Sequence, residues 1–241
     1  QLHKIVRTIA ITELEHFGSE AFRSPDVAIQ FTTPNTAKNK NKKTLSAGVP
    51  IVVGSTGWYK EMPTVKAEVE RTNGSLFWAS NFSIGVNIFV AMQKYVAKIM
   101  NNYPNYDVSL EETHHIHKLD SPSGTAITIA EAITDNLDRK DNWKETACLW
   151  LNEDKSVDVA KNAEVATTFA SHDDNELEVT AFRRGEVPGI HTVVYDSEVD
   201  TITMTHSAKS RRGFALGAVI AAQFMSDGKK GIYTMTDLMK F

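Results

Sequence analysis

The feature that most constrains this chain is a strand–helix–strand rhythm in its first third, in which each short apolar run ends in small or polar residues. Val27 to Phe31 reads as a buried strand ending in Thr32-Thr33-Pro34. A helical stretch to Ala47 is closed by Gly48, and Pro50 to Val53 makes the next strand, running into Gly54-Ser55-Thr56-Gly57. A third unit adds a helix from Met62 to Thr72 and a strand from Leu76 to Trp78, which leads into Ala79-Ser80-Asn81-Phe82. Helical crossovers between short strands predict a parallel sheet. The residues after the three strands then share one sheet edge, where open α/β folds place ligands. Lys38 to Lys43 reads as a solvated helix face, and Lys4 to Ile9 as a strand that opens the chain in mid-fold.

Beyond Phe82 the pattern changes. Ile84, Ile88, Met92, Val96, Ile99 and Met100 recur at helical spacing and predict one buried stripe, with the methionines in the core. Strands follow at Val108 to Glu112, Glu176 to Arg183, His191 to Tyr195 and Thr201 to His206, with a helix from Ser123 to Leu137. These elements predict a second domain of α+β type over residues 83–211, on an open mixed sheet that is largely antiparallel. Arg212 to Phe224 reads as a helix that joins 212–241 to a first domain at 1–82.

Composition narrows the function classes. Lys and Arg total 26 against 30 Asp and Glu, so a net charge of −4 provides no general field for nucleic acid or an anionic membrane. One cysteine, Cys148, cannot form an internal disulfide and fits a reducing compartment, which predicts a cytoplasmic location. No run approaches the ~18 apolar residues of a membrane span.

Chemistry concentrates in Glu112-Thr113-His114-His115-Ile116-His117-Lys118-Leu119-Asp120-Ser121-Pro122-Ser123-Gly124-Thr125-Ala126. Pro122 and Ser123 mark a helix start, whose outward N–H groups form an anion site. Ser123, Gly124 and Thr125 are therefore candidates to hold a carboxylate. Lys118 adds a point charge for a second one, and a histidine with a pKa near ~6.5 suits proton transfer at neutral pH. The pattern predicts a pocket for a small dianion beside an acid/base group. A metal site is not predicted: His114 and His115 point to opposite sides of a strand, and no third ligand is spaced for tetrahedral zinc. His117, His172, His191 and His206 read as structural or surface histidines.

The string His-His-x-x-Lys-x-Asp-x-Pro-Ser-Gly-Thr-Ala resembles the signature of the dihydrodipicolinate reductase family. Further blocks resemble it in order: Asp26 to Thr32, Gly54 to Gly57, Ala79 to Asn87, Arg184 to Thr192 and His206 to Arg211. The resemblance implies a Rossmann-type dinucleotide-binding domain and a substrate domain that assembles into a homotetramer. It implies NADH- or NADPH-dependent reduction of a small dicarboxylate in lysine and diaminopimelate synthesis. By the same resemblance His114 is the acid/base and Lys118 a proton donor, while His115, Gly124 and Thr125 bind carboxylates. Gly54, Ser55, Thr56, Ala79, Ser80, Asn81 and Phe82 then line the cofactor, with Arg211 and Phe214 nearby.

The sequence departs from the family pattern at its start. A first strand and Gly-x-Gly-x-x-Gly turn, which seat the cofactor pyrophosphate on a helix N-terminus, do not precede Lys4, and Ala10 stands where an acidic ribose ligand is common. An incomplete Rossmann domain and weak cofactor binding are the expectation. Two readings follow: a reductase whose chain continues before Gln1, or a dicarboxylate-binding domain with little turnover.

Overall fold

The computed structural model describes residues 4–5, 24–164 and 169–240; from residue 6 on, the expected opening strand lies outside them. The elements run Ala28–Gln30 (β1), Pro34–Ser46 (α1), Ile51–Val53 (β2), Met62–Thr72 (α2), Ser75–Trp78 (β3), Ile84–Met100 (α3), Asp107–His114 (β4) and Gly124–Thr134 (α4). They continue with Asn142–Trp150 (β5), Val159–Glu164 (α5), Glu176–Arg183 (β6), Ile190–Asp196 (β7), Thr201–Ser207 (β8), Arg212–Met225 (α6), Gly231–Tyr233 (β9) and Met235–Met239 (α7). The chain divides into two compact units, one up to Ser83 and again from Phe214, the other Ile84–Gly213.

The first unit is built on a parallel sheet of order β1-β2-β3-β9. Because side chains alternate across a strand, Ile51, Val53 and Leu76 face α1 and α2, packing with Ala37, Leu45, Trp58, Val65 and Val69. On the opposite face Phe77 meets Phe224 of α6 edge-on, with ring centroids 6.0 Å apart. The expected solvated face at Lys38 to Lys43 needs correction: Lys40 is 3% and Asn41 0% exposed. Ala37, Asn41 and Leu45 are four residues apart and line one helix face, and that face is the buried one. The fourth strand, β9, was not evident in the sequence. Being three residues long after Lys229-Lys230, it is held by the Gly231 N–H bond to the Gly74 carbonyl (3.0 Å) and by Ser75 Oγ donating to the Lys229 carbonyl.

The second unit carries a mixed sheet of order β5-β6-β4-β7-β8. Two of its four pairings, β5–β6 and β6–β4, are parallel, where the sequence had suggested mostly antiparallel ones. Part of the difference comes from β5, which was missed because it lacks clean alternation and bulges between Glu145 and Ala147; the β4–β6 pairing is parallel as well. Val108, Leu110, Leu177, Val179, Val193 and Tyr195 make the covered face, against Phe89, Ala97 and Met100 of α3 and Ala126, Ile129 and Ile133 of α4. The buried stripe of α3 is thus Val86, Phe89, Gln93, Ala97 and Met100. The stripe expected from sequence is displaced: Ile88, Met92 and Ile99 are 42%, 46% and 40% exposed, and Met92 is not core. Two adjacent apolar stripes share the helical period on α3, and packing rather than periodicity selects one.

Gly217 shows how closely the first unit packs, since a Cβ there would lie 1.7 Å from the Phe82 carbonyl oxygen. Gly217→Ala must therefore push α6 off that backbone. Overpacking of this kind costs about 1–3 kcal/mol, and a lowered midpoint in urea denaturation will show it.

Candidate active site

Two groups of candidate residues lie in different units. In the first unit, parallel pairing sets Gln30, Val53 and Trp78 in one row, so the segments after them form a common edge. Gly54 N–H donates to the Gln30 carbonyl at 2.9 Å, and Ala79 N–H to that of Val53 at 3.3 Å. A Cβ on Gly54 would overlap the Phe31 ring, 2.1 Å away. Glycine therefore lets that ring lie over the strand end, where it is 54% exposed. Thr56 and Ser80, after β2 and β3, are exposed. Ser55 and Phe82 are placed differently. Ser55 Oγ is buried and donates to Thr32 O (2.5 Å) and Gln30 Oε1 (3.0 Å), tying the first two turns together. Phe82 is 2% exposed and packs between Phe31 and Phe77. Asn81 Oδ1 accepts from Ser83 N–H at 2.8 Å. An edge with a half-exposed aromatic ring, hydroxyls and accessible backbone fits a flat, polar-edged ring such as a nicotinamide.

In the second unit the site grows from the end of β4. Val108, Leu110, Glu112 and His114 alternate onto the covered face. The last two sit where that face meets the start of α4, and register brings the remaining members. Glu112 pairs with His191 across β4–β7, and His114 with Arg183 across β4–β6. Glu112, His114, Arg183, His191 and Ser123 are 0%, 8%, 1%, 3% and 3% exposed.

Contacts within this cluster are specific. Glu112 Oε1 accepts from Ser123 N–H at 3.0 Å and lies 3.5 Å from Arg183 Nη1. Its Oε2 faces His114 Nδ1 at 3.3 Å and His191 Nε2 at 3.7 Å, ion-pair distances rather than aligned hydrogen bonds. Burial alone would raise the Glu112 pKa, but His114 and the Ser123 N–H outweigh it and hold the carboxyl down to about 2. Burial pushes His191 to about 3, with neighbouring His114 adding to the shift, so His191 is neutral. Ser123 caps α4, its Oγ accepting from Ala126 N–H at 3.1 Å, and lies 3.3 Å from His191 Nε2. Both polar groups of Ser123 thus act inside the protein, whereas Gly124 is exposed with open space over its Cα.

Arg183 also donates to the Asp120 carbonyl at 2.8 Å, which anchors the loop carrying Lys118. Lys118 Nζ meets both Asp120 carboxylate oxygens, at 2.7 and 2.8 Å. Beyond the end of β8, Arg211 Nη2 lies 3.0 Å from His115 Nε2. A guanidinium can only donate, so His115 accepts; burial and Arg211 push its pKa below the ordinary value. His117 pairs with Glu186 at the surface.

Glu112, His114 and His191 offer ligand atoms within 4.8 Å of one another, a third partner that spacing along the chain did not show. The Arg183 guanidinium and Ser123 N–H already balance this carboxylate, so the geometry suits proton chemistry better than cation binding.

Comparison with known proteins gives the family. Residues 6–82 match the model for dihydrodipicolinate reductase, N-terminus, and residues 85–239 that for its C-terminus. The chain belongs to the dihydrodipicolinate reductase family. A 4-hydroxy-tetrahydrodipicolinate reductase of Christiangramia forsetii is 38% identical over 98% of this chain and 88% of its own length. One from Methanopyrus kandleri is 33% identical over 90% of this chain and 72% of its own. The fold matches a dipicolinate-bound dihydrodipicolinate reductase from Paenisporosarcina at a TM-score of 0.63 and 22% identity, covering 88% and 73% of the two chains. The protein is thus an oxidoreductase of lysine and diaminopimelate biosynthesis that uses NADH or NADPH, with a Rossmann domain and a mixed-sheet domain. Among the described residues no helix of the reductase is long and apolar enough to cross a membrane.

The depressed His191 pKa has a stability consequence. Below pH ~6.5 the unfolded chain takes up a proton at this residue that the folded chain refuses until about pH 3, so stability falls as pH drops. His191→Gln should flatten the stability–pH curve between pH 6.5 and 4.5 by up to about 1.4 kcal/mol per pH unit. Urea titrations of both proteins across that range will measure the change in slope.

Proposed function

We propose that His114 is the acid/base of the reductase and donates a proton, with Lys118 a further proton donor, and that Lys118, His115, Gly124 and Thr125 bind the substrate's carboxylates. Ser123 shapes that cradle from inside. On the first unit, Gly54, Thr56, Ala79, Ser80 and Asn81 hold the cofactor over a base formed by Ser55 and Phe82; Arg211 and Phe214 are further cofactor residues. When bound, the reduced nicotinamide supplies a hydride to the unsaturated substrate ring.

The chain's own residues do the rest. Protonated His114 neutralises the charge that develops as the ring is reduced. The Lys118 ammonium, now paired with Asp120, is available to a carboxylate that displaces it. Arg183 keeps the Lys118 loop and the Glu112–His114 pair in one framework. The observation that supports this most is one connected network: a lysine and an open helix start joined by hydrogen bonds through Glu112, Arg183 and Asp120, with the acid/base histidine at ion-pair distance from Glu112. A relative solved with dipicolinate bound supports a dicarboxylate ligand.

Two coarser features complete the reading. The sheet face away from α3 and α4 carries Thr192 and Thr205, hydrogen-bonded at 3.0 Å, beside half-buried Phe182 and Val194; four copies assemble through it into a homotetramer. A single cysteine, the half-buried Cys148, supports a reducing, cytoplasmic location for the enzyme.

His114→Gln should lower kcat by ~10²- to 10⁴-fold with little change in KM, the usual contribution of a general acid. Lys118→Ala should raise both the KM and the inhibition constant of pyridine-2,6-dicarboxylate. Steady-state assays decide the roles: parental kcat in the first variant, or unchanged constants in the second, would remove those residues from the mechanism.

A further inference from the structure

The inference here rests on the reading of His114 as proton donor. We propose that Glu112 is the positioning residue of His114: its buried carboxylate fixes the imidazole in the Nδ1–H form, leaving Nε2 as the atom that carries and delivers the proton.

The argument begins with what the carboxylate can face. Glu112 is completely buried, and its two oxygens are used unequally. Oε1 has the Ser123 N–H and the Arg183 guanidinium. Among the described residues Oε2 has no hydrogen-bond partner, and it faces two imidazoles at ion-pair distance. An ionised oxygen at that distance repels a ring-nitrogen lone pair and attracts an N–H. His114 is nearer, at 3.3 Å against 3.7 Å, and its Nδ1 has no alternative partner among the described residues. His191 Nε2 has Ser123 Oγ within 3.3 Å. The carboxylate therefore orients His114 first.

The far side of the ring agrees. His114 Nε2 lies beside Gly189, where an added Cβ would come within 3.0 Å and where φ is +150°. A residue without a side chain thus borders the atom that must meet substrate. The transfer balances simply: the Nε2–H bond breaks, its electron pair stays on Nε2, the proton goes to the reduced ring, and neutral His114 keeps its Nδ1–H toward Glu112. The charged and titratable groups around His114 are Glu112 on its own strand, Arg183 on β6, His191 on β7 with His206 behind it, and His115 and Lys118 just after β4.

Glu112→Gln tests this with little change in shape. The amide oxygen still accepts from Ser123, but the amide nitrogen now donates to His114 Nδ1 and stabilises the wrong tautomer, the known effect of replacing such a carboxylate by its amide. The expected result is a kcat reduced at least ~10-fold, with KM and the pyridine-2,6-dicarboxylate Kd changed less than ~2-fold. Loss of the negative charge should also move the alkaline limb of the kcat profile to lower pH. In a His114→Gln background the same change should cost almost nothing further. An equal loss in both backgrounds, or a kcat within two-fold of the parent, overturns the proposal. Full activity of His114→Gln alone removes the reading on which it rests, and the proposal with it. Should Glu112→Gln not fold, ¹⁵N NMR of the His114 ring in the unaltered protein, above its titration, decides without any variant: Nδ1–H supports the assignment and Nε2–H refutes it.

Discussion

An ionised carboxylate with no solvent contact is expensive, about several kcal/mol per buried ion before compensation. Glu112 holds such a charge at the end of β4, and the second unit is organised to offset it. The first compensation is the start of α4, which presents the Ser123 N–H and the positive end of a helix dipole. The second is Arg183, itself buried and further satisfied by the Phe182 and Asp120 carbonyls. Neither is local in sequence. Both require β6, β4 and β7 to pair in the observed register and α4 to begin where it does. The apolar core beneath, from Val108 and Leu110 to Ile129 and Ile133, supplies most of the burial and tolerates modest repacking; the ion does not.

The first unit solves a different problem. Its parallel strands end together because each is followed by a crossover, and glycine and serine at those ends let the backbone turn without crowding. Ser55 illustrates the division of labour. Its hydroxyl joins two turns of the edge, so its side chain builds the platform whose exposed members are Phe31, Thr56 and Ser80.

Much of this was legible in the sequence because it depends on short-range rules. The βαβ rhythm pointed to three parallel strands, and the string from His114 to Thr125 marked the proposed acid/base and anion-binding residues together. Glu112 was also within reach, since a residue two before His114 shares its face of a strand. His191 and Arg183 were not: each joins the cluster through cross-strand register, which depends on which strands pair. His191 was read as an ordinary structural histidine for that reason. The buried stripe of α3 failed differently, because Ile88 and Met92 on one side and Phe89 and Gln93 on the other satisfy the same period. Strand β5 was hidden by its bulge.

The pairing of Lys118 with Asp120 changes how ligand affinity should be counted. Both oxygens of Asp120 already contact the ammonium, so a carboxylate bound by Lys118 as proposed exchanges one counter-ion for another. Its gain is the difference between two salt bridges, and part of the electrostatic attraction is cancelled in advance. In the proposed reading, discrimination then falls to the second carboxylate, whose donors lie at the start of α4. Such a site rewards ligands carrying two anionic groups at the correct separation and gives little to those with one.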